Sequence, residues 1–147
     1  MDTSKEYIDM CREAEEIQKG WESKVGDFYV ANNRVFVVEN PVIATATTER
    51  KKGGECGWAK LLRADGNIVW LPRQDQLQAM LCPCKNQART LELINDFSES
   101  VQGYAKEKRY KKSMEEMWLR YVMSRKYQMS WEDAATLWLP FIKTEDR

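Results

Sequence analysis

The stretch "WLPRQDQLQAML", Trp70 to Leu81, decides how this chain is divided. Before it the sequence has the texture of strands, and after it the texture of helices. Pro72 carries the fixed φ that suits a first helical position, where its missing N–H costs nothing. Asp75 falls in the first turn, where a negative charge meets the helix dipole favourably. Leu77, Met80 and Leu81 share one helical face. The reading is a strand ending at Leu71 and a short helix over 73–81, stopped by Pro83. Folding physics leaves Arg73, Gln74, Gln76 and Gln78 underexplained. Arg73, Gln74 and Gln78 are therefore the candidate partner-binding residues.

Working upstream, "DFYVANNRVFVVENPVIATATT" is rich in Val, Ile, Thr and aromatics, which suit a pleated, half-buried surface. Asn32-Asn33 separates two such runs and tolerates positive φ, a hairpin-turn signal. Asn40-Pro41 marks the next break, and "ERKKGGECG" reads as an exposed loop. Asp65-Gly66 predicts a second hairpin, flanked by 58–63 and 67–71. Before the strands, Thr3 and Glu6 form an expected capping box. Tyr7, Met10, Cys11, Ala14, Ile17 and Trp21 then make one helical stripe, with Gly20 as its stop.

Downstream, Ala88, Leu91, Ile94, Phe97, Val101 and Tyr104 predict a longer amphipathic helix. Ser113 with Glu116 opens another, whose apolar side carries Met114, Met117, Trp118, Tyr121 and Val122. Ser130 with Asp133 predicts a last helix with Trp131, Ala134, Ala135 and Trp138, halted by Pro140.

Composition bounds the function. The chain has 147 residues, 43% of them hydrophobic, with six Trp, six Tyr and four Phe, enough for a core in one domain. Lys+Arg 23 balances Asp+Glu 23, so no global charge points to nucleic acid. Histidine is absent, which excludes Ser-His-Asp and Cys-His catalysis within one chain. There is no P-loop, no Gly-x-Gly-x-x-Gly after a strand and no Gly-x-Ser-x-Gly. No catalytic residue and no cofactor are expected. No apolar run reaches bilayer length, and "MDTSKEYIDMCREAEE" lacks the pattern of a secretory signal. A cytoplasmic location with reduced thiols and no membrane contact follows as the expectation.

Two further chemistries have a sequence basis. Cys82-Pro83-Cys84 with Cys56 offers thiolates for zinc, and Cys11 would complete a set of four. Paired Cys-x2-Cys knuckles are absent, however, and Cys11 falls on an apolar stripe. In "AKEKRYKK", Lys106, Lys108, Arg109, Lys111 and Lys112 interleave with Tyr104 and Tyr110, a pattern able to hold phosphates and stack bases. The plainer reading is a solvated connector between helices.

The segments "IVWLPRQDQLQAML" (68–81) and "SMEEMWLRYVMSRKYQMSWEDAATLWL" (113–139) resemble stretches of small proteins encoded in phages and prophages of Gram-positive bacteria. In outline the resemblance runs from Lys24 to Leu139. It implies a mobile-element origin and an accessory role, with no assigned activity and no catalytic residues. Those proteins place a helix and then a short Trp-rich element near the C-terminus. The Cys-Pro-Cys motif and the basic connector are not matched.

The expected fold is α+β, a small antiparallel sheet of four or five strands. One helix (1–22) precedes the strands (25–72), and a helical half (73–140) follows, in a single domain over 1–147. The expected role is a non-enzymatic phage or prophage accessory protein in the bacterial host cytoplasm. It would act on an unknown protein partner or as a homo-oligomer. The alternatives are nucleic-acid binding through 106–112 and a zinc-stabilised or cysteine-dependent protein.

Overall fold

A computed structural model describes residues 1–39, 68–83, 86–105 and 112–141, the side chains of 103–105 excepted. The chain divides into two compact units, Thr3–Pro72 and Arg73–Arg147, the latter together with Met1–Asp2. The fold is mixed α and β with small antiparallel sheets.

In the first unit, α1 (Lys5–Glu13) and α2 (Glu15–Lys19) meet at Ala14, whose ψ of 64° breaks the helix. The expected apolar stripe is thus split between two helices, yet all of its residues from Tyr7 to Trp21 are buried. The cap is Ser4 rather than Thr3: its hydroxyl accepts from Tyr7 N–H. Gly20 ends α2 as expected.

Strands β1 (Phe28–Ala31) and β2 (Arg34–Val37) form the expected hairpin. Asn32 and Asn33 take φ of 49° and 59°, the two positive values that a two-residue turn of matching twist demands. Strand β3 (Ile68–Leu71) pairs with β1 on its other side, giving the order β2-β1-β3. Helix α1 packs against β3, all four of whose residues are buried. The Tyr7 hydroxyl donates to the Pro72 carbonyl at 2.6 Å, tying the first helix to the strand's exit.

The second unit begins with α3 (Gln74–Leu81). Pro72 is not its first helical residue. Arg73 is the extended N-cap, and the Gln76 side chain returns to accept from Arg73 N–H at 2.9 Å. That reach-back sets the helix start later than Pro72 alone predicts, and it accounts for Gln76. Helix α4 (Gln87–Ala105) follows, and α5 (Met114–Tyr127) starts as expected, with Ser113 Oγ accepting from Glu116 N–H. The core of this unit is aromatic. Phe97 of α4 stacks on Trp118 of α5 at 3.8 Å, and Tyr121 meets both rings edge-on. Helix α3 also packs on α5.

Two further expectations, about the sheet and the last helix, are corrected. The expected single sheet of four or five strands is, among the described residues, a three-stranded sheet and a separate two-stranded ribbon. The expected strand at 58–63 lies outside the described residues, as does the Asp65-Gly66 turn. The second correction concerns the last helix. It is a hairpin of β4 (Met129–Glu132) and β5 (Leu137–Pro140), with Trp131 opposite Trp138. Gln128 at φ 56° ends α5 and turns the chain into β4 at once. Thr136 at φ 52° closes the turn. Each tryptophan gains the other ring at 5.2 Å, edge to face. Asp133 serves Arg120 at 2.7 Å instead of a helix start.

Candidate interaction surface

The three-stranded sheet has two edges, and they are treated differently. In an antiparallel ladder only alternate residues of an edge strand turn their backbone groups inward. On β3, Trp70 lies opposite Tyr29 and turns its groups outward. The Gln18 carboxamide meets both of them. Its Oε1 accepts from Trp70 N–H at 2.9 Å, and its Nε2 donates to Trp70 C=O at 2.9 Å. The same Nε2 donates to the Cys11 carbonyl at 2.9 Å. A side-chain amide thus stands where a further strand's peptide group would stand, and caps that edge at Trp70.

On β2 the alternation runs from the start of the hairpin. Val38 N–H donates to Asp27 C=O and Val38 C=O accepts from Gly26 N–H, both at 2.8 Å. Gly26 reaches this position with a φ of 87°, which glycine alone adopts without strain. Phe36 and Arg34, two and four residues back, therefore face β1. Val35 and Val37 turn their N–H and C=O groups outward. Among the described residues no strand pairs with that edge. Its side chains are also open: Val35 is 40%, Phe36 41% and Val37 45% exposed. The strand carries no proline and no lysine, two residues that commonly protect an edge from pairing.

An aromatic row leads to this edge. Register places Trp70, Tyr29 and Phe36 on one face. Trp21 lies parallel to Trp70 at 5.7 Å and 6.5 Å from Tyr29, which stacks on Phe36 at 5.4 Å. Buried Asp27 accepts from Trp21 Nε1 at 2.8 Å and from Lys24 N–H at 2.9 Å, fixing the Trp21 ring. The row is buried at Trp70 and exposed at Phe36, so its outer end presents a half-open aromatic face.

The main ionic cluster of the second unit is structural in its geometry. Buried Glu116 accepts from Lys112 Nζ at 2.9 Å and from Arg120 at 3.1 Å. Arg120 continues to Asp133 at 2.7 Å. Among the described residues these two cations face two carboxylates, and the bonds join α5 to the turn of the β4–β5 ribbon.

The Arg73 guanidinium is paired with Asp75 at 3.0 Å, and this bond holds the Asp75 carboxyl below its usual range. Gln74 and Gln78 are half-buried on α3. Of the basic connector, Lys106, Lys108, Arg109 and Lys111 lie outside the described residues, and Lys112 is committed to Glu116. Cys56 and Cys84 also lie outside them, while Cys82 follows α3 and Cys11 is buried in α1, both as thiols. Among the described residues no group of His, Cys, Asp and Glu is placed to hold a metal, and no helix is long and apolar enough to cross a membrane. Helix α4 leaves part of its expected stripe open, with Leu91 62% and Ile94 44% exposed.

The β1–β2 hairpin is legible in the sequence, and its open edge is not. Period-two runs are equally consistent with a central or an edge strand. Gln18 carries no sequence signal either, since a glutamine late in a helix is ordinary. No family model, no curated protein and no solved structure matches this chain.

Proposed function

We propose that this chain is a non-enzymatic accessory protein of phage or prophage origin that acts by protein–protein contact. Its contact site is the outer edge of β2. The observation that carries the reading is the contrast between the two sheet edges: Gln18 caps β3 at Trp70, while among the described residues no strand pairs with the outward groups of Val35 and Val37 on β2. An uncapped strand edge offers backbone hydrogen bonds to an added strand, and alternate side chains supply selectivity. The origin rests on the resemblance of 68–81 and 113–139 to phage and prophage proteins.

A photo-crosslinking residue in place of Phe36, expressed in the bacterial host, tests the contact. A defined crosslinked protein at position 36, absent from a control position at exposed Glu92 on α4, is expected. Equal crosslinking at both positions, or none at 36, contradicts it. The origin predicts that phage or integrated-element genes flank the coding sequence.

A further inference from the structure

We propose that the strand which covers β2 is β2 of a second copy, paired antiparallel about a two-fold axis through Phe36. This inference rests on the contact site proposed above and assigns its partner. The outward hydrogen-bonding groups of β2 belong to Val35 and Val37. One symmetric register uses all of them. Val35 exchanges a pair of bonds with the partner's Val37, and symmetry repeats the exchange at Val37. A register centred on Val35 or on Val37 makes only one such exchange within the strand. The centred register also sets Phe36 against the partner's Phe36 in a non-hydrogen-bonded pair, where opposed side chains approach most closely. The aromatic row Trp70, Tyr29, Phe36 then continues into the same row of the second copy. Phe36, 41% exposed in one copy, gains an aromatic neighbour of the kind that stabilises cross-strand pairs. Arg34 comes opposite the partner's Val38, so no like charges face each other. The contact is isologous and closed, which suits a dimer and not a fibre.

Sedimentation equilibrium from micromolar to millimolar protein, combined with cysteine crosslinking, tests this. The full chain is expected to dimerise. Val37→Pro removes one outward N–H from each copy and leaves the β1 ladder intact, and it should weaken the dimer about thirtyfold. Under oxidation, Phe36→Cys should form a disulfide between the two copies through position 36, identified by peptide mapping against the native cysteines. Val35→Cys should not link to itself, because the register offsets the two positions beyond disulfide reach. Near-UV circular dichroism establishes that each variant is folded. A monomer throughout the range overturns the inference, as does a Val35→Cys link as efficient as that at 36. A monomer that crosslinks to a different protein through position 36 overturns this inference while leaving the proposed contact site standing.

Discussion

The Gln18 carboxamide pairs with both backbone groups of Trp70, at 2.9 Å each, and so takes the place of a neighbouring strand. Replacing it leaves Trp70 N–H, Trp70 C=O and the Cys11 carbonyl without this partner. Gln18→Ala should therefore lower stability by about 2–3 kcal/mol, the cost of unsatisfied part-buried groups. Urea denaturation checks this, and a loss within about 0.5 kcal/mol, as at an ordinary surface site, contradicts it.

Glu116 is buried between Lys112 and Arg120. Glu116→Gln removes the charge and leaves Lys112 and Arg120 facing a neutral amide. Breaking a buried pair in this way is expected to cost about 3 kcal/mol. Arg120→Met with Glu116→Leu together should cost less than the sum of the single changes, because the loss of their mutual ion pair is then counted once. An additive double-mutant cycle would show that the two side chains do not depend on each other.

Ser130 belongs to β4 and not to a helix start. Ser130→Ala should change stability by no more than about 0.5 kcal/mol, against about 1 kcal/mol for loss of a true N-cap. Trp138→Ala should be severe, since it removes the partner of Trp131 across the ribbon. Thermal unfolding of the two variants separates the hairpin from the helical alternative.

The Arg73 guanidinium holds the Asp75 carboxyl below its usual range. A folded pKa below the unfolded one means that the stabilising contribution is present above about pH 4, the ordinary aspartate value. It is lost as pH falls through the folded pKa. The pair is largely exposed, so the effect on stability is small and screened by salt. In an NMR titration, Asp75 should have a depressed midpoint that rises in Arg73→Gln. An unchanged midpoint contradicts the pairing.

Much of the fold was legible because some signals are local. Asn32-Asn33 demanded positive φ, and Ser113 before the α5 stripe demanded a cap. The stripe from Tyr7 to Trp21 identified buried residues even though Ala14 breaks the helix. Where tertiary pairing competed with a local signal, the local reading failed. Ser130 and Asp133 have the spacing of a cap, but cross-strand contact between Trp131 and Trp138 and the Arg120–Asp133 bond favour a hairpin. The candidate surface was hardest to see. Whether Val35 and Val37 face a strand or open space depends on sheet order. Which amide caps the opposite edge depends on Gln18, 52 residues from Trp70 in sequence, and no local pattern connects the two.

Residue-resolved amide exchange across β2 tests the open edge most directly. Phe36 N–H, facing β1, should be protected at every protein concentration. Val35 and Val37 N–H should exchange quickly in dilute solution and become protected as concentration rises and the edge is covered. Val35 and Val37 amides that exchange quickly at all concentrations, or are protected at the lowest, would contradict the assignment of β2 as the edge through which this protein pairs.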